Sequence, residues 1–374
     1  MKTLLFTSEF PPQKGGVANY YHNLFLNWPN KDILVLTEKK DDQKYDNVRV
    51  LNKKLFNRSI KPNWLPAIRS LAQTIKREKV SIVLVGQILP LGIAAYLLSF
   101  FINFKYVVII HGMDWTWALK KRRKKYISKK ILKRADKIIC GNSYVAELIK
   151  KEMKDHSLDI KILNPGVDKP PKYDKIKDDK ERLLKTYSLK DKFLLLSLGR
   201  LVKRKGVDKV LEVLPKIISE HPDLKYLIAG KGPEEKNLKT KAKNLDLDKE
   251  SVIFLGEINE QEKWALLNLC DLLVMPSREI EGDFEGFGIV YLEANLMSKP
   301  VIAGDSGGVR DAVEHNHNGI MVDPEKTEEI KKAIIKLKQE KKLNQKLVKQ
   351  GKERVEKNFF WPQKTEELYN LLNK

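Results

Sequence analysis

Residues 80–110 read VSIVLVGQILPLGIAAYLLSFFINFKYVVII, and this stretch decides the fold class. Residues 80–104 carry no charge over a length that could span a bilayer. However, Gly86-Gln87 and Pro90 divide the run into a strand, SIVLV, and a helix, LGIAAYLLSFFI, before a second strand, KYVVII. Buried parallel strands are expected to be apolar throughout. The pattern therefore favours a strand–helix–strand unit, with a membrane span as the minor alternative.

Short apolar strands alternate with helical segments along the whole chain. In the first half the predicted strands are TLLFTS, DILVLT, SIVLV, YVVIIHG, KIICGNS and KILNPG. In the second half they are FLLLSLGR, KYLIAGKG, VIFLGE, LLVMPS, PVIAGD and GIMVDP. This alternation predicts an α/β protein whose parallel sheets are covered by helices on both faces.

A break in the alternation at residues 165–190 predicts two domains, because three prolines and dense mixed charge are typical of an exposed linker. We predict an N-terminal domain over 1–168, a linker over 169–190 and a C-terminal domain over 191–357. Residues 358–374 are predicted to form a helix that packs back toward the N-terminal domain. Two doubly wound, Rossmann-like domains would face each other across a cleft, with the ligand beyond the carboxyl ends of the strands.

The composition narrows the partners without choosing one. The 374 residues carry a net charge of +22, which attracts nucleic acid, nucleotide phosphates or an anionic membrane. The only two cysteines, Cys140 and Cys270, lie in apolar runs, which argues against a disulfide scaffold or a zinc site and favours a reducing cytosol. The N-terminal stretch MKTLLFTSEFPP predicts a first strand and not a signal peptide.

Residues 283–294, DFEGFGIVYLEA, predict the shape of the ligand. Glu285 precedes a Phe-Gly turn, and Glu293 lies more than a turn inside the helix that follows. Helix-start amides favour negative charge. The amides in question belong to Phe287, Gly288 and Ile289. Two carboxylates that flank an anion site suit an elongated ligand with hydroxyls at two places and phosphate between them, which is the layout of a nucleotide-sugar.

Two other strand ends carry groups suited to phosphate. Gly15 and Gly16 precede a helix whose free amides can approach an anion, although a Gly-Gly turn alone is ordinary. In SLGRLVKRKG, Arg200 and Lys205 stand near a helix start, where a guanidinium and an ammonium suit a diphosphate. The basic character of the whole chain weakens the second inference.

The remaining motifs leave more than one interpretation open. His111 and Asp114, in HGMDW, follow a buried strand, where a histidine is either structural or functional. The segment YLIAGKGP lacks the third glycine of a dinucleotide-binding fingerprint. The Asp-x-Asp at 245–248 lies in a lysine-rich stretch, where a solvated loop is favoured over a metal site, and no other cluster has metal-ligand spacing.

Taken together, these motifs resemble the retaining glycosyltransferases of family 4, which have the GT-B fold. EGFGIVYLE matches the E-x7-E motif of that family, and HGMD, SLGRLVKRKG, AGKGP and PVIAGDSGGVRDAV extend the match over nearly the whole chain. The sequence looks most like the phosphatidylinositol-mannoside mannosyltransferases and related surface-polysaccharide enzymes.

The resemblance implies a role for each matching residue. Arg200 and Lys205 would neutralise the diphosphate, Glu293 would hold the ribose hydroxyls, and Glu285 would contact hydroxyls of the transferred sugar. The catalytic set would be His111, Glu285, Arg200 and Lys205. The donor-binding set would be Gly15, Gly16, Arg200, Lys205, Gly230, Glu257, Ile258, Glu285, Phe287, Gly288 and Glu293. The donor would be GDP-mannose or a UDP-hexose, with no metal or other cofactor.

A basic segment over 120–134, KKRRKKYISKKILKR, holds ten cations and no acid. It is either a solvated helix, a surface for anionic lipid headgroups or a nucleic-acid contact, and the lipid surface is favoured. We therefore expect a lipid-linked or saccharide acceptor and a peripheral location on the cytoplasmic face of the membrane. A sugar-nucleotide epimerase on a similar scaffold and a basic nucleic-acid-binding protein remain the alternatives.

Overall fold

The structure of the protein is a computed structural model that describes residues 2–13, 15–30, 32–38, 45, 47–247 and 249–373. The chain forms two compact units. The first comprises Met1–Gly166 and Trp361–Lys374, and the second comprises Val167–Phe360.

The first unit is built around a seven-stranded parallel sheet with the strand order β3-β2-β1-β4-β5-β6-β7. Its strands are β1 (Thr3–Phe6), β2 (Ile33–Thr37), β3 (Arg49–Asn52), β4 (Ile82–Val85), β5 (Lys105–Ile110), β6 (Lys137–Cys140) and β7 (Ile160–Ile162). Its helices are α1 (Gly16–Leu26), α2 (Leu65–Glu78), α3 (Leu91–Leu98), α4 (Met113–Leu119), α5 (Arg122–Arg134), α6 (Ser143–Met153) and the C-terminal α15 (Trp361–Asn373).

β1, the first strand of the chain, lies at the topological switch point of this sheet. Thr3 of β1 pairs with Ile33 of β2 on one side and with Ile82 of β4 on the other, so the strand order reverses at β1. All four residues of both β1 and β4 are buried, because strands covered on both faces need apolar side chains in and out. Ligands of open α/β sheets bind at such a switch point.

The uncharged stretch at 80–104 is confirmed as strand, helix and strand. It contains β4 and the eight-residue helix α3, and β5 follows at Lys105. In the described part of the chain, no helix combines the length and the apolar character that a membrane crossing requires.

The second unit has a six-stranded parallel sheet with the order β10-β9-β8-β11-β12-β13, and its switch point lies between β8 and β11. Its strands are β8 (Phe193–Leu198), β9 (Leu224–Ala229), β10 (Val252–Gly256), β11 (Leu272–Met275), β12 (Val301–Gly304) and β13 (Ile320–Val322). Its helices are α7 (Lys177–Thr186), α8 (Val207–Glu220), α9 (Glu235–Asn244), α10 (Glu260–Leu269), α11 (Ile289–Leu296), α12 (Val309–Ala312), α13 (Thr327–Gln339) and α14 (Lys341–Asn358). Successive residues of β8 pack into different cores, Leu194 and Leu196 into one and Leu195 into the other.

The predicted linker over 169–190 is wrong, because most of that segment is folded into the second unit. It forms a short 3-10 helix at Tyr173–Lys175 and then α7. Leu183 of α7 is buried in a core of the second unit, so the charged residues around it cover one face of an amphipathic helix. At the other end of the chain, α15 packs on α1, and Thr365 Oγ1 donates to the carbonyl of Leu24 at 2.7 Å.

Candidate active site

Two loops meet at the switch point of the second sheet. The first follows β8 and contains a 3-10 helix at Lys203–Lys205, and the second follows β11. Gly206 has φ +73°, and a Cβ there would lie 2.1 Å from the carbonyl oxygen of Pro276, so only glycine allows this approach. The amide of Arg278 donates to the Arg204 carbonyl at 2.8 Å. The loops are therefore held together by backbone contacts.

The carboxylate of Glu285 is buried between two cations of the first loop. Its Oε2 atom lies 2.5 Å from Arg204 Nη1 and 2.6 Å from Lys205 Nζ. Arg204 Nε also lies 3.2 Å from Asp283 Oδ1. Burial disfavours the charged form of Glu285, but Lys205 and Arg204 outweigh burial and lower the pKa of this carboxyl. Glu285 is ionised at neutral pH, and in the described chain no group bonds its Oε1 atom.

The helix start beside Glu285 offers free backbone donors. Gly288 caps α11 with φ +84°, and Glu293 lies inside that helix, as expected. The carbonyl of Glu285 accepts from the Gly308 amide at 2.9 Å, which fixes the loop in front of the helix. Among the described residues, nothing accepts from the three amides at this helix start, which belong to Phe287, Gly288 and Ile289. Converging free amides make a site for an anion.

Glu293 is also buried, and a lysine lies against it. Lys263 Nζ of α10 lies 2.6 Å from Glu293 Oε1 and 2.5 Å from Glu260 Oε1. Burial raises the pKa of Glu293, and Lys263 opposes this shift. For Lys263, burial favours the neutral amine, but the two carboxylates outweigh it and raise its pKa. The pair places a hydrogen-bonding carboxylate inside the helix at a distinct position from Glu285.

The other predicted donor residues of this unit do not join the ion cluster. Arg200 is exposed, and among the described residues no hydrogen bond or ion pair involves its guanidinium. Glu257 is exposed, 3.4 Å from Lys231, and Ile258 beside it is half-buried. Gly230 has a packing role, because a Cβ there would lie 2.0 Å from the Gly199 carbonyl oxygen.

In the first unit, the predicted residues lie at the carboxyl ends of the strands. Gly15 caps α1 and Gly16 is its first residue; both are exposed, with open space where a Cβ would be. His111 follows β5, and its Nε2 atom lies 2.9 Å from Tyr21 Oη. Burial lowers the pKa of His111 to about 4. Asp114 Oδ1 accepts from two backbone amides at 3.0 Å, but burial still raises the pKa of its carboxyl to about 6.

The basic segment is less one-sided in three dimensions than in sequence. Its Lys125 and Lys129 lie 2.8 and 2.5 Å from Glu152 of α6, and Lys133 lies 3.6 Å from Asp155. The cations without an acidic partner in the described chain are Lys120, Lys121, Arg122, Arg123, Lys124, Lys130 and Arg134. Three cations of α5 are therefore neutralised, and the five other cations of α5, together with Lys120 and Lys121 before it, carry the free charge.

The described residues contain no group of three or more His, Cys, Asp or Glu side chains arranged to hold a metal ion. Asp248, the second acid of the Asp-x-Asp, lies outside the described residues. Both cysteines are buried and free.

Sequence reasoning missed three residues that organise these sites. Arg204 is one of three consecutive cations in VKRKG, and nothing in the sequence distinguishes it as the partner of Glu285. Lys263 pairs with Glu293 across thirty positions of chain. Tyr21 lies in a helix that begins at Gly16, and its sequence context is that of an ordinary buried residue of the helix.

Comparisons with known proteins identify two consecutive domains. A family profile described as "Glycosyltransferase Family 4" matches residues 14–169, and one described as "Glycosyl transferases group 1" matches residues 179–354. Among curated proteins, a GDP-mannose-dependent monoacylated alpha-(1-6)-phosphatidylinositol monomannoside mannosyltransferase from Corynebacterium glutamicum is 27% identical over 377 residues. The match covers 99% of this chain and 97% of that protein.

A second relative and a solved structure extend the comparison. A GDP-mannose-dependent alpha-(1-6)-phosphatidylinositol monomannoside mannosyltransferase from Mycolicibacterium smegmatis is 28% identical over 88% of this chain and 87% of its own. The crystal structure of Anabaena HepE in complex with UDP matches with a TM-score of 0.80 at 18% identity, over 100% of both chains, which shows the fold. The protein therefore belongs to the glycosyltransferases of the GT-B fold, with a family 4 domain followed by a group 1 domain, and transfers a sugar from a nucleotide-sugar.

Proposed function

We propose that the protein transfers a hexose, with mannose favoured, from a nucleotide-sugar to a lipid-linked or saccharide acceptor, with retention of configuration and without a metal ion. The choice of sugar and acceptor class follows the activities of the two mannosyltransferase relatives, which match most of the chain. GDP-mannose is therefore the first donor to test, and a UDP-hexose is the second.

The ion cluster around Glu285 carries this proposal. Lys205 is paired with the Glu285 carboxylate, and Glu285 lies just before the free amides at the start of α11. A diphosphate that binds the Lys205 ammonium and these amides would replace the Glu285 carboxylate as the partner of Lys205. No buried cation would then be left unpaired. Arg204 would then remain the counter-ion of Glu285. The free Oε1 atom of Glu285 would accept a hydrogen bond from a hydroxyl of the transferred sugar. The carboxylate of Glu293 would accept hydrogen bonds from the ribose hydroxyls.

A front-face mechanism suits these groups. Lys205 and Arg200 would stabilise the charge that develops on the leaving diphosphate, which supplies the electrostatic stabilisation without a divalent ion. The leaving phosphate would help to remove the proton of the acceptor hydroxyl. Positioning of donor and acceptor provides the rest of the rate enhancement. We expect the transfer rate to be unchanged by EDTA.

Nucleotide binding tests the donor site directly. We expect GDP to raise the melting temperature more than UDP or ADP. A ligand at a hundredfold its Kd stabilises the folded state by about 2.7 kcal/mol, so the shift should be measurable. Glu293→Ala should remove most of this shift, because it deletes the carboxylate assigned to the ribose. Glu281→Gln is the matched control, because Glu281 is an exposed acid of the neighbouring loop. If none of the three nucleotides shifts the melting temperature, the donor site is misassigned.

The acceptor side of the proposal rests on the unpaired cations in and just before α5. Seven cations there lack acidic partners in the described chain, and exposed aromatic rings lie among them. Tyr126 is 64% exposed beneath Lys130, Phe100 is 54% exposed beneath Arg134, and Trp117 of the adjacent α4 is 61% exposed. Cations with amphipathic rings are typical of surfaces that dock on anionic lipid headgroups, with each cation near the surface contributing about 1 kcal/mol.

Co-sedimentation with vesicles tests this surface. The protein should bind vesicles that contain an anionic lipid and should dissociate from them at high salt. It should not bind neutral vesicles. Charge reversal at Arg122, Arg123 and Lys124 should abolish binding. The matched control reverses three exposed lysines of the second unit, namely Lys342, Lys346 and Lys349. Equal losses in both triple variants would mean that net charge acts, and not this surface.

A further inference from the structure

The hydroxyl of Tyr21 joins the ends of two neighbouring strands in the first unit. Tyr21 lies on α1 and has no exposed surface. Its Oη atom lies 2.7 Å from the carbonyl oxygen of Gly86, just after β4, and 2.9 Å from Nε2 of His111, just after β5. The Tyr21 ring packs closely against the backbone of Gly86, since a Cβ on Gly86 would lie 3.1 Å from the ring. This contact limits the movement of the ring.

Counting protons along this chain of contacts fixes the tautomer of His111. A carbonyl oxygen only accepts, so the single hydroxyl proton of Tyr21 is donated to Gly86. Tyr21 Oη can then only accept from His111, and Nε2 must carry a hydrogen. Burial lowers the pKa of the imidazole, so it is neutral and has one N–H. The second nitrogen, Nδ1, is therefore left with a free lone pair.

The surroundings of the ring leave Nδ1 available. The edges of two rings hold the imidazole, with centroids 4.9 Å away for Tyr20 and 5.3 Å for Tyr21. His111 is only half-buried, and no donor of the described residues reaches Nδ1. On that side stands Gly141, where a Cβ would lie 3.6 Å from Nδ1. The missing side chain keeps the approach to this nitrogen open.

We propose that Tyr21 is a positioning residue that holds His111 as the neutral Nε2–H tautomer, so that Nδ1 accepts a hydrogen bond from a hydroxyl of a sugar substrate. The inference rests on the proposed function, which supplies that hydroxyl. In this arrangement His111 neither donates a proton to the substrate nor carries charge at neutral pH. Tyr21 acts only through His111, and Gly141 determines whether the hydroxyl can reach it.

The tautomer can be measured without any activity assay. Long-range proton–nitrogen NMR spectra of the full chain, labelled with nitrogen-15 at its six histidines, distinguish a protonated from an unprotonated ring nitrogen. The signals of His111 are assigned by their loss in His111→Gln. We expect a protonated Nε2 and an unprotonated Nδ1 at pH 7.5. A protonated Nδ1 in the wild type would overturn the inference.

Two variants connect the tautomer to turnover. Tyr21→Phe should mix the two tautomers and lower kcat about five- to twentyfold with little change in KM, as expected for the loss of one hydrogen bond in the transition state. Gly141→Ala should keep the Nε2–H signature and lower kcat as well, because its methyl group crowds Nδ1. The backbone of Gly141 has no left-handed φ, so this variant should fold even if Tyr21→Phe does not.

Comparing the tautomer with kcat in the two variants tests the roles of Tyr21 and of Nδ1 separately. A slower Tyr21→Phe with an unchanged tautomer, or a changed tautomer with unchanged kcat, would each refute the positioning role. Full activity in Gly141→Ala would show that Nδ1 is not the atom used. Failure of the proposed function looks different, because the wild type would then consume no nucleotide-sugar whatever its tautomer.

Discussion

Replacing Glu285 by glutamine should separate nucleotide binding from sugar transfer. In the wild type, Glu285 Oε2 binds Arg204 and Lys205 at 2.5 and 2.6 Å. Removing one partner of a buried ion pair costs about 3–5 kcal/mol. Glutamine keeps a carbonyl acceptor, and Arg204 keeps Asp283 at 3.2 Å. We therefore expect a loss of about 2–3 kcal/mol, which lowers the melting temperature of a domain of roughly 200 residues by about 4–12 °C.

The same change should leave the diphosphate site intact. Lys205 loses its carboxylate partner and is free to bind phosphate, so the Kd for GDP should stay equal or fall. Transfer should slow by at least about a hundredfold, since the ionised acceptor for the sugar hydroxyl is gone. Isothermal titration with GDP and a transfer assay on the same preparation measure both effects. The exposed Glu281→Gln provides the control for loop chemistry.

Two results would argue against these roles of Glu285. A Glu285→Gln protein that melts like the wild type would show that the two cations do not depend on the carboxylate. A variant that loses GDP binding and transfer in parallel would make Glu285 a general folding requirement of the site and not a contact to the transferred sugar.

Three further variants test individual features of the structure. Lys263→Met leaves the buried Glu293 carboxylate unpaired and should cost about 2–3 kcal/mol at pH 7.5 by chemical denaturation. The loss should shrink as the pH is lowered, because burial raises the pKa of Glu293 and favours its uncharged form. A loss that does not change with pH would argue against the pairing. Asp114→Asn should stabilise the fold by roughly 1 kcal/mol at pH 7.5 and not at pH 4. Burial raises the pKa of the Asp114 carboxyl to about 6, so the folded wild type loses stability as the pH rises through that value. A pH-independent effect would contradict burial as the cause. Gly230→Ala should destabilise by about 2–4 kcal/mol, since φ is +130° and the Cβ would overlap the Gly199 carbonyl; a normal melting temperature would contradict this.

Most of the architecture could be predicted because buried parallel strands are continuous apolar runs. Every strand expected from such a run is present, including all six of the second sheet. The missed strand, β3, is an edge strand with exposed ends, and its four residues, RVLN, contain only two apolar side chains. The segment before β8 was misread for a similar reason, because its dense charge hides the single buried Leu183 of α7.

The site could be predicted only as far as its strand-end motifs go. Motif spacing led to Lys205, Glu285 and Glu293, which the structure places at loop ends and inside the expected helix. The partners of these residues depend on tertiary contact. Arg204 meets Glu285 across 81 positions and Lys263 meets Glu293 across 30, and local sequence carries no signal for either pair.

Product analysis after incubation with GDP-mannose shows whether the protein is a retaining mannosyltransferase. The protein is mixed with GDP-mannose and vesicles that contain a phosphatidylinositol mannoside acceptor, in the presence of EDTA, and the product is analysed by NMR. We expect release of GDP and a new mannosyl lipid in which the α configuration of the donor is retained. A β-linked product, or no consumption of any GDP-, UDP- or ADP-sugar, would contradict it.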